Sequence, residues 1–116
     1  MDYDVVIVGA GPSGLSAACR LKQVNPDISV CVVEKGSEVG AHILSGAVLE
    51  PSALNELFPD WEAMGAPVLT PVTDDHIFIF RNAEKRFKVP GLFAPKTMHN
   101  HGNYVISLGK LCRWLA

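Results

Sequence analysis

Tyr3 to Glu34 reads YDVVIVGAGPSGLSAACRLKQVNPDISVCVVE, and this stretch decides the fold. VVIV, bounded by Gly9, is an unbroken apolar run of the kind a strand buried on both faces requires. From Gly14 to Asn25, Leu15, Ala17, Ala18, Cys19, Leu21 and Val24 recur at helical spacing with Ser16, Arg20 and Gln23 opposite them, until Asn25-Pro26 stops the pattern. Ile28 to Glu34 gives a second apolar strand. Two buried strands joined by a helix of this length form a βαβ unit, which closes right-handed with its strands parallel.

The turn between the first strand and the helix is Gly9-Ala10-Gly11-Pro12-Ser13-Gly14, a GxGxxG in the context that gives it meaning. Gly9 permits a tight exit from the strand, Gly11 has no side chain to keep a pyrophosphate from the backbone, and Gly14 lets the helix approach the sheet. The phosphates then face the unpaired N–H groups and the positive end of the helix. Pro12 suits the first helical position, where its missing N–H has no helical partner to lose. Glu34 follows Gly14 by 20 positions, the place of the carboxylate that accepts hydrogen bonds from an adenosine ribose. The same charge repels a 2′-phosphate, which disfavours NADP. NAD and FAD both present an ADP half, and the fingerprint does not choose between them.

Working outward, KGSEVGAHILSGAVLEP (35–51) holds three glycines and no clear period and reads mostly as loop. A short helix follows, with Ala53, Leu54, Leu57 and Phe58 on one side and Pro59 ending it. HIFIF (76–80), a polar turn at 82–85 and RFKV (86–89) read as a β-hairpin outside the parallel sheet. The Pro/Gly-rich VPGLFAPK leads to a strand-like YVI, and Ser107 caps a last helix with Leu108, Leu111, Cys112 and Leu115 at i, i+3, i+4, i+7. A helix of that kind is expected to feed a further parallel strand. The expected fold is therefore α/β and incomplete: a Rossmann-like FAD/NAD-binding βαβ core over 3–34, a loop and short helix over 35–61, an added antiparallel β-hairpin in 68–90, and a strand and helix over 103–116.

Composition agrees with a globular domain: of the 116 residues 48% are hydrophobic and 19% charged. No run is long enough for a spanning helix and no targeting leader opens the chain, so neither insertion nor secretion is expected. Residues 1–80 carry three bases against eleven acids, and 81–116 seven bases against Glu84 alone. Those bases are scattered without interleaved aromatics, which argues against nucleic acid. Cys19, Cys31 and Cys112 have no Cys-x-x-Cys spacing and read as core rather than as ligands of zinc or a cluster. His99 and His101 lack a third ligand at a metal-binding spacing, and Asp74-Asp75 reads as a turn rather than a dyad.

GAGPSGLSAA and the continuation E-K-x-x-x-x-G (Glu34, Lys35, Gly40) resemble the FAD domain of the large flavoprotein oxidoreductases. VVEKGSEVGAHILSGAVLEPSALNELFPDW, GAPVLTPVTDD and MHNHGNYVISLGKLCRWLA resemble, more narrowly, the electron-transfer flavoprotein–ubiquinone oxidoreductase family over essentially the whole chain. The resemblance implies a hydroxylase-type fold and electron passage from reduced electron-transfer flavoprotein, through FAD and a [4Fe–4S] cluster, to membrane ubiquinone. It implies that Gly9, Gly11, Gly14 and Glu34 hold the ADP half of FAD, and that the loop from Gly40 to Gly46 approaches the cofactor from the other end. Ala10, Pro12, Ser13, Lys35 and Gly40 are further cofactor-binding candidates, and His42, two residues after Gly40, is a candidate flavin contact by its position. No catalytic residue is expected here, since the flavin does the redox work. Cluster cysteines and quinone contacts are expected outside this chain, so turnover by these residues alone is not.

By the same resemblance the protein is expected to be peripheral, on the cytoplasmic face of a bacterial membrane or the matrix face of the mitochondrial inner membrane. The apolar residues between Ala41 and Trp61 either lie on that surface or pack against the remainder of the protein, outside these residues, and the sequence leaves both open. Two rival readings share the fingerprint: an FAD-dependent reductase of lipid or polyene substrates, and a stand-alone dinucleotide-binding module.

Overall fold

A computed structural model describes residues 2–44, 46–90, 93 and 95–116. Gly91, Leu92 and Ala94 of the Pro/Gly-rich connector, and Ser45 of the Gly40–Gly46 loop, lie outside the described residues. Strand β1 (Val5–Val8), helix α1 (Pro12–Val24) and strand β2 (Val30–Val33) form the expected βαβ unit. The strands are parallel, Val5 opposite Val30 and Val8 opposite Val33. Asp4 and Ser29 tie the strand starts together through Asp4 N–H to Ser29 Oγ at 2.9 Å and Ser29 N–H to Asp4 Oδ2 at 2.9 Å. Asn25 ends α1 in an extended conformation, as Asn-Pro predicts.

One expectation for these strands fails. They are not buried on both faces: Val5 and Ile7 turn toward the interior, while Val8 is 86% exposed and Val6 and Val33 lie open as well. An unbroken apolar run records what both faces need, whereas α1 covers only one of them.

A second, unforeseen sheet follows. Strand β7 (Tyr104–Ile106) runs antiparallel between β3 (Ala47–Leu49) and β4 (Thr70–Pro71), with Ala47 opposite Ile106 and Thr70 opposite Val105. The stretch read as loop thus contains a strand. Three residues are too few to show a period, and Pro71 in β4 is tolerated because that strand is an edge. Helix α2 (Ser52–Leu57) lies where the sequence places it. The strands β5 (Ile77–Phe80) and β6 (Arg86–Val89) form the predicted hairpin, its turn held by Asn82 Oδ1 accepting the Lys85 N–H at 2.8 Å. Asp74-Asp75 is not a turn. Instead, the Asp75 carboxylate accepts from the side-chain amide of Asn100 at 3.0 Å.

Helix α3 (Leu108–Leu115), capped by Ser107, joins the two halves through adjacent residues. Leu111 belongs to a core with Leu54, Trp61, Ala66, Val68 and Ile106, and the fully buried Cys112 belongs to a second with Ala10 and Leu15. Trp61 is 4% exposed, meets Tyr104 edge-on at 5.8 Å and donates its indole N–H to Asn55 Oδ1 at 2.6 Å. Ala47, Leu49, Leu54, Phe58 and Trp61 pack inside the protein, whereas Leu44 and Val48 of the same stretch remain exposed, so residues 41–61 turn only part of their apolar side chains inward. Cys19 and Cys31 are half-buried. Burial raises the Cys19 and Cys112 thiol pKa values.

Candidate functional site

The three glycines of the turn stand in different surroundings. Gly9 takes φ +101°, a conformation glycine adopts freely. Its N–H makes the last bond of the strand ladder, to the Val33 carbonyl at 2.7 Å. Gly11 caps α1, and a Cβ there would meet nothing within 4 Å. A Cβ on Gly14 would lie 2.1 Å from the Gly9 carbonyl oxygen and 3.1 Å from Ile7 Cγ2. Gly14 is thus a packing requirement, while Gly11 leaves open space before the helix. Pro12 opens α1, and the first turn holds no acidic side chain to compete with an anion. A helix begun this way has N–H groups without helical acceptors, so the cradle fits a pyrophosphate.

Glu34 stands just beyond β2, beside this turn. Its Oε2 accepts the Ala10 N–H at 2.8 Å and its Oε1 accepts the Gly36 N–H at 2.8 Å. Those two bonds, Ala10's first, hold its pKa below the ordinary glutamate value, with smaller help from the charges of His42 and Lys35. Each carboxylate oxygen has a second lone pair for a further donor. His42 is exposed in the turn at 39–42 and is near enough to Glu34 to favour its ionised form.

Sequence reasoning missed the residues that hold these groups. A Cβ on Gly36 would sit 3.1 Å from Glu34 Oε1, so this glycine makes room for the carboxylate. Gly40, at φ +84°, lies against Gly109 of α3, whose carbonyl oxygen would be 2.9 Å from a Gly40 Cβ. Arg113 donates to the Val39 carbonyl at 3.2 Å and pairs with Glu38 at 3.4 Å, tying α3 to the same loop. Gly109 and Arg113 are more than sixty positions from the loop they hold, and no local pattern signals them.

A cavity of about 850 Å³ runs along α1 and β2, with Ala10 and Glu34 among its lining residues. Leu15, Ala18, Val30, Val32 and Leu115 make it apolar, which suits hydrocarbon packing better than a diphosphate. His76, His99 and His101 share a smaller cavity at the hairpin base. Among the described residues, no group of His, Cys, Asp or Glu could hold a metal ion.

NAD(P)-binding Rossmann-like domains match residues 7–74. The chain is 72% identical, over its whole length, to the electron transfer flavoprotein-ubiquinone oxidoreductase of Pseudomonas aeruginosa, of which it covers 22%. It is 62% identical over 99% of its length to the probable enzyme of that name from Acinetobacter baylyi, covering 21%. It is 53% identical over 98% of its length to the human mitochondrial one, covering 19%. The chain thus spans about a fifth of the length of these relatives. With the βαβ unit, the glycine cradle and Glu34 in place, the chain belongs to the NAD(P)-binding Rossmann-like domain family and is homologous throughout to one stretch of the electron transfer flavoprotein-ubiquinone oxidoreductases.

Proposed function

We propose that this chain is the FAD-binding part of an oxidoreductase that passes electrons from reduced electron-transfer flavoprotein to membrane ubiquinone. The observation that carries the reading is the open space before Gly11 and α1, in a chain 72% identical to an enzyme named for that reaction. FAD, when bound, supplies the redox chemistry. The backbone from Gly9 to Gly14 binds the pyrophosphate, with Ala10 and Ser13 in the cradle's backbone and Pro12 fixing the first turn of α1. The free lone pairs of Glu34 accept the adenosine ribose hydroxyls, and Lys35 contributes a positive charge beside the ADP half. Gly40 and His42 belong to the loop facing the flavin end, which Gly109 and Arg113 hold in place. A [4Fe–4S] cluster would be held by residues outside this chain.

The protein would act at a membrane surface as a peripheral protein. No described helix is long and apolar enough to cross a membrane. The hairpin offers a surface better suited to this contact than residues 41–61. One of its faces gathers Ile77, Ile79, Phe87 and Val89, and the other Phe78, Phe80, Arg86 and Lys88, with the Arg86 guanidinium 4.8 Å from the Phe78 ring centre. Ile79, Phe80 and Phe87 are each more than 60% exposed. Apolar side chains next to cations suit a bilayer surface that presents acyl chains beneath anionic headgroups.

The test uses the complete natural protein. It is expected to release FAD in stoichiometric amount on denaturation and to reduce a soluble ubiquinone analogue when given reduced electron-transfer flavoprotein. Isolation with NAD(P) or with no dinucleotide overturns the cofactor assignment. An FAD-loaded protein that leaves the quinone oxidised overturns the electron acceptor.

A further inference from the structure

We infer that Glu34 is also a positioning residue for the phosphate cradle, raising dinucleotide affinity through a part of the ligand that its carboxylate does not touch. This rests on the reading that the Gly9–Gly14 turn binds the pyrophosphate. Ala10 is the first residue past the strand ladder, which ends at the bond from Gly9 N–H to the Val33 carbonyl. It is 3% exposed, so its N–H needs a protein acceptor, and Glu34 Oε2 supplies one from 24 positions away. The other oxygen is fixed by the Gly36 N–H, and the bare Cα of Gly36 leaves it room. The carboxylate therefore joins the turn after β2 to the turn after β1, and so fixes the peptide on which Gly11 and the start of α1 depend.

A carboxylate is required for this. Two N–H donors face it, and each oxygen accepts one of them. An amide at position 34 would turn its NH2 group toward one of those donors and leave an N–H unpaired. Aspartate, one methylene shorter, would not span both bonds. For ribose recognition alone, an amide oxygen is a workable acceptor of a hydroxyl. The two roles therefore separate on the ligand rather than on the protein.

The experiment measures binding of FAD, and of an FAD analogue lacking both adenosine ribose hydroxyls, to the flavin-stripped complete protein and to its Glu34→Gln variant. The substitution is expected to weaken the analogue about tenfold or more, the usual consequence of orphaning a buried donor, and FAD by at least that factor. It is also expected to shift the ³¹P resonances of the bound diphosphate. A loss confined to FAD, with unmoved ³¹P resonances, means that Glu34 acts only through the ribose and overturns the inference. If the wild-type protein binds neither ligand, the reading of the turn itself has failed instead. Gly36→Ala serves where Glu34→Gln does not fold: its methyl would lie 3.1 Å from Oε1 and shift the carboxylate by a few tenths of an ångström without removing it. A loss for both ligands is again expected, and unchanged affinity for both overturns the inference.

Discussion

Gly11 and Gly14 lie three positions apart, and the structure gives them opposite sensitivities to a single methyl group. At Gly11 an added Cβ meets nothing within 4 Å, and the backbone, at φ −81° and ψ 178°, suits any residue. Alanine is a poorer N-cap than glycine by about 0.5–1 kcal/mol. The loss of glycine's freedom in the unfolded chain returns about 0.4–1 kcal/mol. The flavin-free protein should therefore unfold at nearly the same denaturant concentration after Gly11→Ala. Its methyl, however, projects into the space assigned to the pyrophosphate. Losing two charge-assisted N–H bonds there, at roughly 1.5–3 kcal/mol each, would weaken FAD by about 10²- to 10⁴-fold.

Gly14→Ala should do the reverse. Its Cβ would fall 2.1 Å from the Gly9 carbonyl oxygen, more than 1 Å inside an ordinary contact, so α1 has to move off the strand. Overpacking of this kind costs about 1–3 kcal/mol or more, against which the better helix propensity of alanine recovers about 1 kcal/mol. A net destabilisation of about 1–2 kcal/mol is expected in the flavin-free protein. Urea unfolding and FAD titration of both variants decide the matter. If Gly11→Ala binds FAD within about threefold of wild type, the cradle is not where the phosphates sit; if Gly14→Ala is as stable as wild type, α1 does not approach the strand as described.

Trp61→Ala removes the largest side chain of the main core and should lower stability by about 3–5 kcal/mol, a change under about 1 kcal/mol being incompatible with its burial. Because the Ala10 and Gly36 N–H groups depress the Glu34 pKa, its contribution to stability should be complete above the ordinary value of 4.5 and disappear as pH falls through the lower folded-state value. Acid unfolding followed by NMR should therefore place the Glu34 titration below 4.5, and a midpoint at or above it would contradict both bonds. Replacing Ile79 and Phe87 together by serine should weaken binding of the complete protein to anionic vesicles about tenfold or more while flavin content is unchanged. Vesicle binding unaltered by that pair would place the membrane contact elsewhere.

Much of the fold is legible because its signals are local. VVIV, the spacing of GAGPSG, the period of α1 and the alternation of HIFIF against RFKV each lie within one element, and each forms where the pattern places it. The antiparallel sheet was not legible, because β3 and β4 are three and two residues long and exist only by pairing with β7, more than thirty positions away. The candidate site divides in the same way. The glycine cradle and the position of Glu34 follow from spacing, whereas the bonds that Glu34 makes do not, and neither does the backing of Gly40 by Gly109.

The sequence by itself determined the βαβ unit, its glycine turn and the family resemblance, since helix period, strand runs and turn glycines depend on neighbours within one or two turns of chain. Only the tertiary structure decided that Leu49, Leu54, Phe58 and Trp61 turn inward to one core while Leu44 and Val48 stay exposed, and that apolar side chains lie open on both the parallel pair and the hairpin. An apolar side chain carries the same hydrophobic drive whether it meets a core, a partner or a membrane, and which of these covers it is fixed by the packing of elements distant in sequence.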